Sequence, residues 1–215
     1  LIVIGKYFTA AQVGFYTRAQ TTKQLPVKNI SAALNKVTYP LFASIQDDDI
    51  RLKRVYSQLM QMVVFVVTPV MVLLAVIAEP LFVFLFTDKW LPAVPYFQIL
   101  CATGILYPIH SYNLNVLKVK GRSDLFLRLE IIKKIVIIIA IASTIKFGII
   151  AMIYGQVFTS IVAFFINTHY TGKFLNYTAW QQARDIFPTI VLAFIVGVII
   201  YILENFTLST QINFV

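Results

Sequence analysis

Residues 59–78 run for about twenty positions without a formal charge, the length a helix needs to cross the hydrocarbon core of a bilayer. In water such a helix would be apolar on every side, so this run limits the fold more than any other feature. It is not isolated. Residues 91–117 carry one weakly basic side chain, His110, and residues 147–168 and 186–203 carry no formal charge. Residues 125–145 form a fifth run, crowded in its first half by Arg128, Glu130, Lys133 and Lys134. Residues 25–45 form a sixth, interrupted by Lys28 and Lys36. The residues before Lys6 read as the end of another helix and those after Leu208 as the start of one more. The pattern predicts an all-α integral membrane protein with about six transmembrane helices and partial ones at the ends.

Composition agrees and excludes other classes. With 59% hydrophobic and 13% charged residues and a mean hydropathy of +0.81, the chain lies outside the usual mix of soluble domains. The net charge of +9 does not indicate nucleic acid, because the Lys and Arg residues cluster between apolar runs rather than over one basic face. A lone Cys101 inside an apolar run leaves no disulfide framework and no metal-type cysteine pair. The chain starts at Leu1 with no leader-like segment and is still apolar at Ile212 to Val215, which reads as an internal or C-terminal piece of something larger. Three segments are expected: residues 1–168 with the end of one helix and five spans, a cytoplasmic loop at 169–185, and residues 186–215 with a further span and the truncated start of the next.

Loop charge sets the expected orientation, since Lys and Arg are retained on the cytoplasmic side. One set of connections and adjoining helix ends holds Arg51, Lys53, Arg54, Lys118, Lys120, Arg122, Arg128, Lys133, Lys134, Lys173 and Arg184. The opposite set holds Arg18, Lys23, Lys89 and Lys146, and eleven against four puts the first set inside. The helix at 25–45 then runs inward. Residues 79–90, apolar and aromatic and ending in Trp90, suggest a short interfacial helix on the outer side. Pro69 and Pro108 fall inside predicted spans and should bend them.

Polar residues within the spans are the candidate functional groups, because a charge at mid-bilayer costs at least ~2.5 kcal/mol and needs water, a partner or a route to the interface. At 100° per residue, Lys28 lies near Asn35 and Asn29 near Lys36, forming one broad stripe. Such a stripe suits the wall of a water-filled, anion-attracting cavity; polar partners on a neighbouring helix are the alternative. A second candidate wall holds Gln98, Tyr107, His110, Ser111, Asn113, Asn115 and Lys118. His110 suits proton transfer or a phosphate oxygen, but a lone histidine is more often a neutral ring hydrogen-bonded between helices. The basic stretch with Lys120, Arg122 and Arg128 suits a cytoplasmic mouth for a phosphorylated substrate, or contact with anionic lipid. Asp47, Asp48 and Asp49 are read as a helix cap rather than a metal site. No Gly-rich phosphate loop, H-E-x-x-H or G-x-S-x-G occurs, so no enzyme motif is present.

The strings "GFYTRAQ", "LPVKNISAALNKVTYPLFASIQDDDIRLKRVY", "AEPLFVFLFTDKWLPAVPYFQIL" and "GILYPIHSYNLNVLKVKGRSDLFLRLEIIKK" closely resemble bacterial lipopolysaccharide, O-antigen and exopolysaccharide flippases. These form the polysaccharide transporter branch of the multidrug/oligosaccharidyl-lipid/polysaccharide exporter superfamily. The resemblance is densest from Gly14 to Lys134. It implies the second of two six-helix lobes around a cationic cavity in the bacterial cytoplasmic (inner) membrane. Alternating access would move an undecaprenyl-pyrophosphate-linked oligosaccharide to the outer leaflet. Lys28, Asn29, Asn35 and Lys36 would then line the cavity and neutralise the pyrophosphate, with His110, Asn113 and Lys118 facing them. Membrane lipids and other polysaccharide-assembly proteins are the implied partners and nucleic acid is not one. No cofactor is implied, and a coupling ion, Na⁺ or H⁺, has no residue assigned to it. A drug exporter of the same superfamily and a membrane enzyme acting on the same lipid carrier are the competing classes.

Overall fold

The apolar runs become helices, as backbone groups without water partners require. The computed structural model describes residues 2–212, with side chains from 4 to 203, and among these the fold is all α-helical. Its elements are α1 (Ile2–Tyr7), α2 (Ala10–Ser44), α3 (Asp49–Val76), α4 (Ala78–Phe86), a 3₁₀ turn (Asp88–Ala93), α5 (Val94–Val119), α6 (Ser123–Thr144), a second 3₁₀ turn (Ile145–Phe147), α7 (Ile149–Leu175) and α8 (Ala179–Ile212). Leu1 and residues 213–215 lie outside the described residues, and with them part of the terminal pieces expected at 1 and after 208.

Four segments are long and apolar enough to cross a membrane: Asp49–Val76, Asp88–Val119, Ile149–Leu175 and Ala179–Leu203. The chain is a multi-pass membrane protein. Helices α2 and α6, the other two predicted spans, have the length but carry charges along it.

The largest departure from the sequence reading is α2. Arg18 and Lys23, expected in an outer connection, lie inside a 35-residue helix. The break falls earlier, at Thr9, whose hydroxyl accepts from the Gln12 backbone N–H at 3.3 Å while the Gln12 side-chain oxygen accepts from the Thr9 N–H at 3.1 Å. This reciprocal capping box starts the helix well ahead of its apolar stretch. At 1.5 Å per residue α2 is roughly 52 Å long, more than the hydrocarbon core holds upright. Its N-terminal half is anchored by Arg18, whose guanidinium lies 4.6 Å from the Phe86 ring centroid and 4.7 Å from that of Trp90. This is the amphipathic belt expected for an interfacial segment, and α4 with its following turn supplies it.

The connection expected at 169–185 contracts to residues 176–178. Helix α7 continues to Leu175 and α8 begins at Ala179. Asn176 adopts φ 49° and ends α7, as a short polar residue tolerates. The turn is held from α3, where Tyr56 donates its hydroxyl to the Gln182 side-chain carbonyl at 3.1 Å, and from α8, where Asp185 accepts from the Tyr177 hydroxyl. The α5–α6 link is a Schellman turn, with Arg122 N–H on the Leu117 carbonyl at 2.9 Å, Gly121 N–H on that of Lys118 at 3.0 Å, and Gly121 at φ 69°.

Helix α5 is the hub, packed on α2, α3 and α7; α8 packs on α3, and α6 on α7. Phe42, Tyr56 and Tyr112, each almost fully buried, join α2, α3 and α5 at centroid distances of 6.2 and 6.4 Å. Pro69 and Pro108 lie inside continuous helices. Asp48 caps α3 by accepting from Arg51 N–H at 2.9 Å, so this run of carboxylates serves the helix start as expected.

Candidate functional site

Helix α2 sorts its polar residues by face. Tyr16, Ala19, Lys23, Val27, Ser31, Thr38 and Phe42 are buried, recurring in steps of three, four and seven. Lys28, Asn29 and Lys36 are exposed on another face, and among the described residues neither lysine forms an ion pair. Asn35 stands between the two. Its amide nitrogen donates to Ser111 Oγ at 3.0 Å and its oxygen accepts from the Asn115 amide at 2.9 Å, which makes a polar seam between α2 and α5.

The second candidate wall divides three ways. Ser111 and Asn115 belong to the seam. His110 turns to α7, with Nε2 3.2 Å from Ser160 Oγ and Nδ1 3.3 Å from the Asn167 amide nitrogen. His110 thus bridges α5 and α7 through both of its ring nitrogens. Asn113 is fully buried, its side-chain amide donates to the Ile109 carbonyl at 3.0 Å, and its backbone carbonyl accepts from the Thr171 hydroxyl. The structure therefore does not bring His110 and Asn113 to the face of Lys28 and Lys36; helix rotation puts them on the side of α5 that packs on α7. Lys118 is exposed at the helix end, 4.9 Å from the Phe126 ring centroid.

The expected mouth residues are mostly engaged. Lys120 pairs with Asp49 at 2.6 Å and also bonds the Gln46 carbonyl. Arg122 pairs with Asp124 at 2.9 Å, and its hydrogen bonds lower the Asp124 carboxyl from 3.8 to about 2. Arg128 is exposed.

One polar site was missed in the sequence. A pocket of about 470 Å³ between α2, α5, α6 and α7 is lined by Tyr16, Gln20, Lys23, Thr103, Tyr107, His110, Lys133, Gln156 and Ser160, beside apolar neighbours. Lys133 is paired with Glu130, and the Gln156 amide donates to the Tyr16 hydroxyl at 2.8 Å. The signal was present: Tyr16, Gln20 and Lys23 on α2, and Thr103, Tyr107 and His110 on α5, share an i, i+4, i+7 spacing that puts each trio on one helix face. Reading residues 11–24 as a connection hid the first trio.

Residues 1–95 match the model of a family described as polysaccharide biosynthesis protein. The teichuronic acid biosynthesis protein TuaB of Bacillus subtilis is 30% identical over 125 residues, 58% of this chain and 26% of that protein. The lipopolysaccharide biosynthesis protein WzxC of Escherichia coli is 24% identical over 210 residues, 93% of this chain and 42% of its own length. The succinoglycan biosynthesis transport protein ExoT of Rhizobium meliloti is 26% identical over 113 residues, 52% of this chain and 23% of that protein. The chain spans less than half the length of each of these relatives. No solved structure matches it significantly. The family match over residues 1–95, the relatives aligned along the rest, and the bundle of apolar helices agree: the chain resembles membrane proteins of bacterial polysaccharide biosynthesis and transport.

Proposed function

We propose that the protein of which this chain is a part moves an undecaprenyl-pyrophosphate-linked oligosaccharide from the inner to the outer leaflet of the bacterial cytoplasmic membrane. It does so by alternating access, as a transporter rather than an enzyme. In this reading the chain is the second lobe and one further helix, with α2 and α6 completing its six spans. The observation that carries the reading is the exposed face of α2, where Lys28, Asn29 and Lys36 are turned away from the helices of this segment without an ion pair among the described residues. Unpaired cations at membrane depth are disfavoured against lipid and suit a wet passage for a phosphorylated headgroup. The names of the relatives, which include lipopolysaccharide and succinoglycan proteins, support a polysaccharide cargo. Lys118 and Arg128, exposed toward the expected cytoplasmic side, would meet the headgroup first.

The test is complementation of a flippase-deficient strain by the full-length protein, comparing wild type, Lys36→Ala and Lys36→Arg at matched membrane abundance. Loss of surface glycan with Ala and retention with Arg is the expected result. Full function of the Ala variant would remove Lys36 from the passage.

A further inference from the structure

The pocket between α2, α5, α6 and α7 contains a cation that no carboxylate pairs with among the described residues. The Lys23 side chain is 8% exposed, and its ammonium donates to Thr103 Oγ1 at 3.0 Å. Thr103 directs its own hydroxyl hydrogen to the Leu100 carbonyl, so it acts toward Lys23 as a neutral acceptor. An ammonium has three donors, and Thr103 takes one. The ion pairs among the described residues engage other cations, including Lys133, which reaches the same pocket already matched to Glu130. Buried charges in folded proteins are paired, and most strictly so within a membrane.

The surroundings are built for more than a packing void. The volume of about 470 Å³ falls in the range of small-molecule sites. Gln156 is oriented by Tyr16 and has a second amide hydrogen to offer. The Gln20 side-chain carbonyl is buried without a partner, so nothing holds this amide against turning its N–H₂ into the pocket. Tyr107 adds a hydroxyl.

We propose that the space beside Lys23 is a binding site for a small singly charged anion, a halide or a sugar carboxylate. The Lys23 ammonium supplies the charge, and the Gln20 and Gln156 amides and the Tyr107 hydroxyl are further donors. The site is separate from the passage proposed above. At 100° per residue Lys23 lies about 140° around α2 from both Lys28 and Lys36, so it stands or falls independently of that assignment.

Thermal unfolding of the purified full-length protein in detergent tests this, followed as sodium chloride or sodium D-glucuronate is raised with D-glucose as the neutral control. Wild type, Lys23→Met and Lys23→Arg are compared. The expected result is a saturable rise of the wild-type midpoint with at least one anion, an apparent affinity at least about thirtyfold weaker in Lys23→Met, and retention in Lys23→Arg. Saturation by chloride marks the site as a halide site, and saturation by glucuronate alone marks a sugar carboxylate; both uphold it. No saturable shift in wild type, or an equal shift in Lys23→Met, overturns it. If the Met variant is not recovered folded, Gln20→Leu replaces it: weaker saturation upholds the site and unchanged saturation overturns it.

Discussion

The two faces of α2 treat the same side chain in opposite ways. Lys28 and Lys36 stand on a face that touches little of this segment, whereas Lys23 is folded into the bundle against Thr103. All three sit on one helix of 35 residues, so neither composition nor hydropathy of the helix distinguishes them. What separates them is angular position relative to α5, the helix on which α2 packs. A lysine count along a membrane helix is therefore no measure of how wet that helix is. The surroundings of each ammonium decide whether it needs solvent, a carboxylate or a ligand.

Packing gives the sharpest way to break this contrast. Phe42, fully buried against Tyr56 and Tyr112, and Val37, 68% exposed, lie on the two faces of the same helix. Phe42→Ala should lower stability by about 2–4 kcal/mol, because packing is lost even where lipid replaces water as the alternative; Val37→Ala should stay within about 0.5 kcal/mol. Reversible unfolding in mixed micelles measures both, and similar losses would mean that the exposed face is covered. The seam comes next. Asn35→Leu strips Ser111 and Asn115 of their shared partner and should cost about 1–3 kcal/mol in the same assay.

The smallest effect concerns paired against unpaired cations. Asp124, held at about 2 by Arg122, has a folded value below its ordinary 3.8. Its contribution is present above the unfolded value and is lost only as the pH falls through about 2. The melting midpoint of Arg122→Gln should therefore track that of wild type with a constant, small offset from pH 8 to pH 5, and the offset should shrink toward pH 2. A gap that opened near neutrality would point to a different partner for Arg122.

Much of this architecture was legible because uncharged runs about twenty residues long have few fates. Most of residues 59–78 fell within α3 and most of 147–168 within α7, and the aromatic stretch ending at Trp90 became a short helix and turn. The errors share a physical cause. Polar residues at 11–24 and 169–185 were read as connections, yet each segment is helical for most of its length because a tertiary partner accepts the polar group: aromatic rings for Arg18, Thr103 for Lys23, Tyr56 for Gln182. Such partners lie about 70 to 130 residues away along the chain, and spacing within one helix does not reveal them. For the site, the polar stripe of α2 was visible, but its split into an exposed face and a seam with Ser111 and Asn115 depends on how α5 is rotated.

The α2–α5 crossing carries a mechanical consequence. At Gly104 a methyl group would lie 2.7 Å from Met71 Sδ, 3.2 Å from Val27 Cγ2 and 3.4 Å from Lys23 Cδ. Side chains of α2 and α3 thus pack directly on the α5 backbone at this point. A side chain larger than glycine at position 104 would have to push apart α2, α3 and α5. The buried lysine is thereby part of the contact that fixes how α2 lies on α5, while Lys28 and Lys36 are exposed elsewhere on the same helix.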